Sequence, residues 1–581
     1  MPAIQLIGFI GEAPKILPRL LPNSAAQRAL NTRLNDGGLT PVRRPRRDFS
    51  FPTGSGVQSF FLSGSDWVGF SSKVDVAPGP VAGNRLYYTG DGTPKMRVDG
   101  NVYELAVSSP NTKLTAAVTG TGSGDPETIR YAYTWVTEYD EESQPSPLTD
   151  DITWEPGETV TLSGFEAIPS GRAINRQRIY RVQTGETGSS DLFFIAERTA
   201  SQTDFVDDVD PEDIQEPVPS LDWTPPPAEL SGITSLFNGM IAGFVGKDLY
   251  FCEPYRPHAW PDNYVLTMDY NIVGLGAFGN TVIVVTEGTP YRVSGISPDS
   301  MVMDRVELNL PCINADSIQD LGYSVVYATH EGIVSISQGN AGVVSKGLLS
   351  RQNWQELNPG TMAGGQYEGR YFLSYRYTDA MGRDQRGTLI FDLTGEQGFI
   401  IRSSVYAEAF YYEVETGSLY YLHDGAVFQY DAPGQINEAQ TWRSKQFYLP
   451  RPTNFGVILV DAENVLSAED VDAIEADIAQ IKQDNEDIVA AGGLTGAINA
   501  AQVHKHIVNG DETMPIPSFS QFSAVAVYAD GRLVATTSTV NKSVRLPSGF
   551  KARMWEVSVN GDMQISQVAL ATTANELMGV P

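Results

Sequence analysis

Two cysteines and five histidines are all that 581 residues hold of these types, and the shortage removes whole classes of chemistry. Cys252 and Cys312 by themselves make neither a disulfide framework nor a structural zinc site. They read as small buried hydrophobes. Basic side chains are short too: 40 Lys and Arg against 70 Asp and Glu leave a net charge of −30. A protein that coats nucleic-acid phosphates gains affinity by releasing counterions and needs the opposite balance. No apolar run reaches the ~18 residues needed to cross a bilayer, and MPAIQLIGFIGEAPK has no basic region before its short apolar stretch. The expectation is a soluble protein made in the cytoplasm. G-x-S-x-G, H-E-x-x-H and Walker A sequences are missing. Carboxylates are too many for spacing to nominate a glycosidase pair, and the S-x-D-x-G-x-T-W repeat of sialidase-type propellers is absent.

What the chain does have is turn formers and aromatics: 55 glycines, 36 prolines and 10% aromatic residues. That suits a turn-rich, all-β fold. One glycine cluster needs an answer first. Gly274-Leu-Gly276-Ala-Phe-Gly279 matches G-x-G-x-x-G, but a dinucleotide fingerprint must open a helix whose free N–H groups take the pyrophosphate. Here Thr281-Val-Ile-Val-Val-Thr286 follows, a β-branched run too short for a helix, and then the alternating Tyr291-Arg-Val-Ser294. The pattern predicts a β-hairpin. Similar turns flanked by β-rich segments recur at Gly246, Gly288, Gly332, Gly387 and Gly425, separated by 42, 44, 55 and 38 residues. A repeat of about 45 residues is the length of a four-stranded propeller blade. LYYTGDGTPKMRV around Gly92 suggests one more blade within residues 51–105. An irregular β-sandwich with similar turns is the competing reading.

Between that early blade and the main array the texture changes. ETIRYAYTWVTEYDEESQPSP, TVTLSGF, RQRIYRV, DLFFIAER and TDFVDDV read as the short alternating strands of a fibronectin-III-like insertion. An acidic, proline-rich exit, DDVDPEDIQEPVPSLDWTPPPAEL, reads as an extended linker. It lacks the D-x-D-x-D-G loop and twelfth-position Glu of a calcium site. Farther on, Ser467-Ala-Glu-Asp470 offers a capping box ahead of Val471, Ile474, Ile478, Ile481 and Ile488, at helical spacing, with Asn485 in the remaining stripe position. The helix either packs on a copy of itself or a neighbour, or lies on its own sandwich. Alternating strands flank it on both sides. His504-Lys505-His506 lacks a third ligand and reads as a polar loop, and His258 reads as a hydrogen-bonded corner residue. The dense basic run Arg43-Arg44-Pro45-Arg46-Arg47 is placed to grip DNA phosphates or an acidic neighbour, to tie down an adjacent subunit, or simply to sit in solvent.

Several phrases together carry a resemblance: GEAPKILPRLLPNSAAQRALNTRLNDGGLTPVR near the N-terminus, FCEPYRPHAWPDNY and LGAFGNTVIVVTEGTPYRVSGISPDSM in the centre, and RLPSGFKARMWEVSVNGDMQISQVALATTANELMG near the C-terminus. The chain resembles the tail tubular, or nozzle, proteins of short-tailed bacteriophages and prophages. The resemblance implies a non-enzymatic structural virion protein in the tail, assembled in the bacterial cytoplasm as a homo-hexameric ring. Its neighbours would be a tail adaptor or portal-proximal ring and fibres or spikes, and double-stranded DNA would pass through its channel without specific binding. Six copies at −30 each carry −180, and a lumen of that sign would let DNA slide. The rival is a receptor-binding or glycan-cleaving tailspike-like propeller.

The expected fold is mainly β: a β-propeller-like body, an inserted fibronectin-III-like sandwich, and a C-terminal β-domain carrying a helical insertion. Residues 1–50 form an N-terminal arm or platform segment, 51–114 the first propeller-like strands, and 115–220 the sandwich and linker. Residues 221–450 form the propeller-like repeats, and 451–581 the C-terminal domain with its helical insertion at 467–510. No catalytic, cofactor-binding or metal-binding residue is nominated, no cofactor is expected, and no membrane span is expected.

Overall fold

The computed structural model describes residues 4–184, 190–210, 213, 215–393, 398–466, 468–492, 521–549 and 551–577. Strands take 47% of the chain and helices 9%, so the fold is mainly β. It divides into a central unit, Phe51–Gly342, and a terminal unit built from Met1–Ser50 with Val343–Pro581. The block 221–450 read as one array of repeats thus contributes to both units.

In the central unit four antiparallel meanders of four strands follow one another: Asp75–Pro78 to Asn101–Glu104, Ser231–Ser235 to Leu266–Thr267, Ile272–Phe278 to Val302–Arg305, and Gln319–Asp320 to Ala341–Val343. They stack like blades because their inner strands are apolar on both faces. In Ile241–Val245 the side chain of Ile241 enters one core with Tyr87, Met96 and Trp260. Its neighbours Met240 and Ala242 enter another with Val282, Val284 and Val293. Successive residues of a strand point to opposite faces, so each meander is glued to the one before and the one after. Thr281–Thr286 is buried at all six positions for the same reason.

The G-x-G-x-x-G stretch is strand, turn, strand. Gly274 and Gly276 lie within Ile272–Phe278, and Gly279 makes the turn at φ +57°. A Cβ on Gly276 would come within 2.6 Å of the Val325 side chain. The glycine is there so that the next meander can approach. Gly246, Gly92 and Gly425 occupy turns with φ of +58°, +82° and +69°, and Gly288 lies between two strands. Gly387 is different. It sits inside Asp384–Asp392, paired with Tyr375, where a Cβ would meet the Ser403 carbonyl oxygen at 2.9 Å. The turn of that hairpin is at Gly382, φ +76°.

Residues 115–207 form a seven-stranded sandwich of a three-stranded sheet (Thr115–Thr119, Thr159–Ser163, Phe205–Asp207) and a four-stranded one (Ile152–Trp154, Glu127–Thr137, Ile174–Thr184, Ser190–Thr199). Tyr131, Tyr133, Trp135, Leu162 and Ile179 fill the space between them. Its buried charges are matched. Asp207 accepts from Arg181 at 2.8 Å and from the Tyr131 hydroxyl at 2.6 Å. Glu142 accepts from Arg178, Tyr180 and Thr134 at 2.6–2.7 Å. Removing one member would strand the others without water, which is what makes such networks specify one arrangement.

The terminal unit holds three main sheets, and the first fifty residues enter all of them. Ile4–Leu6 pairs with Gln564–Ala571. Ala26–Leu30 lies between Phe399–Ser403 and Gln440–Ser444 in a ten-stranded sheet. Arg46–Ser50 becomes the fourth strand beside Ala426–Gln429, after Ala409–Glu413 and Ser418–His423. Phe9 packs edge-on to Trp442 at 4.9 Å, inside a core that includes Phe455, Trp555 and Ile565. The segment 1–50 is therefore an integral part of these sheets.

Candidate assembly surface

The basic run resolves into contacts within the chain. Arg43 donates its backbone N–H to Asp431 at 2.8 Å and its guanidinium at 3.1 Å. Arg33 reaches the same carboxylate at 2.8 Å. The Asp431 side chain is fully buried, and its hydrogen bond holds the Arg43 pKa above the ordinary value. Arg44 approaches Glu438 at 3.6 Å, Arg46 donates to Gln429 at 2.7 Å, and Arg47 donates to Ser50 at 2.7 Å. A grip on DNA or on a neighbouring subunit is thereby corrected for Arg43, whose partner lies 388 residues along the chain. Nearby, buried Glu12 accepts from Arg402 at 2.9 Å and from the Ala29 N–H at 2.9 Å. Burial raises its pKa against the pull of Arg402.

Two features of the terminal unit remain turned outward. The first is the helix Ala468–Gly492, inserted between the strands Val457–Glu463 and Ser523–Ala529. Val471, Ile474, Ile478 and Ile481 are half-buried while most residues between them are exposed, as the 3-4-3 spacing predicts. None of its described side chains is buried, and no described element packs extensively along it. It carries eight acidic residues and a single Lys482, a charge of −7 over roughly 37 Å at 1.5 Å per residue. Ser467 of the capping box and residues 493–510 of the insertion lie outside the described residues, and so do His504 and His506.

The second feature is the turn Lys15–Pro22. The Pro18 carbonyl accepts from the Gln446 N–H at 3.1 Å, bringing the turn beside Tyr448. Leu17, Leu20 and Tyr448 are 57%, 64% and 59% exposed. Leu17 and Leu20 share one turn, closed by the Leu20 N–H donating to the Leu17 carbonyl at 2.8 Å. Sequence reasoning passed over this turn, although two Leu in a proline-punctuated loop were a signal.

The two cysteines and His258 are held in structural roles. Burial pushes the Cys252 thiol up to about 12 and the Cys312 thiol up to about 11, so neither forms thiolate near neutrality. Cys252 Sγ accepts the Ile241 N–H at 3.1 Å. His258 Nε2 lies 3.2 Å from the Glu142 carbonyl oxygen, which ties the loop after Asp248–Phe251 to the sandwich.

No protein-family model matches the chain, and no curated protein matches it. Among solved structures it is similar to Hsv2 of Kluyvelomyces marxianus, at 9% identity over 49% of this chain and 71% of that one, TM-score 0.23. It is similar to the N-terminal domain of Nup159, at 7% identity over 58% and 80%, TM-score 0.22. It is also similar to an exo-β-1,3-galactanase of Phanerochaete chrysosporium, at 8% identity over 76% and 100%, TM-score 0.21. Overlaps this loose carry no argument about function.

Proposed function

We propose that this chain is a structural subunit of a phage tail nozzle, a ring-forming conduit for the genome with no catalytic activity. The observation that carries the reading is the long acidic helix. A 25-residue helix with an apolar stripe, no extensive packing against a described element and a charge of −7 is costly to keep on a solitary protein. It is useful on one that meets another subunit. Its charge favours a neighbour with a basic rim over a copy of itself, because two such helices side by side repel. The exposed Leu17, Leu20 and Tyr448 offer a second contact. The resemblance of the terminal and central phrases to nozzle proteins supplies the biological setting: six subunits around an axial channel, an adaptor or portal-proximal ring above, and fibres or spikes at the side. No helix among the described residues is long and apolar enough to cross a membrane.

The test is the mass and symmetry of the purified protein, by light scattering and negative-stain imaging, alone and with portal and adaptor proteins. The expected result is a six-fold ring with an axial hole, in at least the reconstituted sample. A trimer would overturn the nozzle in favour of the spike, and a monomer under both conditions would overturn both.

A further inference from the structure

At one end of the third sheet of the terminal unit, three side chains with metal-binding atoms converge from the residue before one strand, the end of the next and the turn that follows. The Glu408 N–H donates to the Leu422 carbonyl at 2.8 Å, and Ala409 pairs with Leu422. Glu408 therefore meets the sheet at Leu422, next to His423, the last residue of Ser418–His423. Asp424 follows at φ +48° and Gly425 at φ +69°, making the two-residue turn into Ala426–Gln429. One ligand atom from each of Glu408, His423 and Asp424 lies within 4.8 Å of the other two.

What surrounds the three residues is as informative as their distance. The buried carboxylates described above each have an arginine: Glu12 has Arg402, and Asp431 has Arg33 and Arg43. Among the described residues no lysine or arginine pairs with Glu408 or Asp424; the one charged approach is His423 Nε2 to Asp424 Oδ2 at 3.5 Å. His423 Nδ1 is buried without a hydrogen-bond partner, and the ring stands edge-on to Tyr406 at 5.8 Å. Two carboxylates beside an imidazole, neither paired with a lysine or arginine among the described residues, form a donor set for a cation.

We propose that Glu408, His423 and Asp424 bind a divalent transition cation, with Zn²⁺ preferred and water completing the coordination. An imidazole nitrogen with two carboxylate oxygens suits this class, whereas Ca²⁺ and Mg²⁺ favour all-oxygen sites. Zinc at about 2.0–2.2 Å from each donor needs donors roughly 3.4 Å apart. The exposed Glu408 and Asp424 side chains would rotate to close that gap. The ion would lock the turn between Ser418–His423 and Ala426–Gln429 to the start of Ala409–Glu413. Ala426 pairs with Ser50, so the ion would also brace the edge that receives the last strand of the N-terminal segment. This inference stands independently of the virion reading.

Calorimetric titration of the chelator-treated full-length chain with Zn²⁺, and separately with Ca²⁺ and Mg²⁺, tests it. The expected result is one Zn²⁺ site per chain whose affinity falls at least tenfold in His423→Gln and in Asp424→Asn, with Ca²⁺ and Mg²⁺ at least a hundredfold weaker. Asn is the milder replacement at 424 because it tolerates positive φ, and metal-free thermal melts check that both variants fold. A double variant His504→Gln/His506→Gln should leave that site unchanged. No Zn²⁺ site, or one that disappears only in the 504/506 variant, would overturn the proposal, and so would equal affinity in wild type and the two folded variants.

Discussion

Acid should loosen the central unit through His258, and the size of the effect follows from its surroundings. The ring is buried, its Nε2 is 3.2 Å from the Glu142 carbonyl, its Nδ1 has no partner, and Trp223 stands edge-on at 5.5 Å. Burial first, then the positive charges of Arg172 and Arg256, hold its pKa down at about 3. The folded-state value is thus depressed below the ordinary 6.5. The unfolded chain takes up a proton below pH 6.5 that the folded chain refuses. Stability from this site is therefore whole above pH 6.5 and declines as pH falls toward 3, by about 1.4 kcal/mol per pH unit. At pH 5 the loss is about 2 kcal/mol. Comparing thermal melts of wild type and His258→Gln at pH 7.5 and pH 5 isolates the term, because other groups titrate equally in both. The wild-type transition should drop further than the variant's by about 3 °C. Equal drops would refute the argument that the neutral imidazole is what the fold selects.

Asp431→Ala should cost about 3 kcal/mol by leaving Arg33 and Arg43 without their shared carboxylate, and limited proteolysis should then cut within residues 31–50; an unchanged digestion pattern would contradict the pairing. Gly276→Ala should destabilise by about 1–3 kcal/mol, since its Cβ would press on Val325, while Gly83→Ala, which meets nothing within 4 Å, should stay within about 0.5 kcal/mol of wild type; denaturant titrations compare the two. Ile474→Asp with Ile478→Asp should leave the melting of the isolated chain within about 0.5 kcal/mol of wild type yet abolish ring formation in light scattering, and rings that persist would remove the helix from the assembly argument.

Local physics was readable in the sequence. Thr281–Thr286 announced a buried strand by β-branching, and the refusal of a helix after Gly279 disposed of the dinucleotide reading. The 3-4-3 stripe of Val471, Ile474, Ile478 and Ile481 announced its helix. Gly387 misled because a glycine serves a turn and a close strand approach equally well, and only the Ser403 carbonyl beside it tells which. Pairings across the chain were out of reach: nothing near Arg43 names Asp431, and nothing near Ala29 names Trp442. The Glu408, His423 and Asp424 cluster was half-visible. Asp424-Gly425 between alternating segments signals a hairpin, but Glu408 joins it only once the register of the preceding strand is known.

The division of the chain also sets an order of events during synthesis. Residues 51–342 have their partners close at hand and can fold as they emerge. Ala26–Leu30 has to wait for Phe399–Ser403 and Gln440–Ser444, about 370 and 410 residues later, which at about 5–20 residues per second is roughly 20–80 s. For that interval Phe9, Ala26 and Ala29, all destined for the interior, travel uncovered ahead of a finished central unit. A nascent chain of this design would depend on something in the cell to shield its leading fifty residues until the rest arrives.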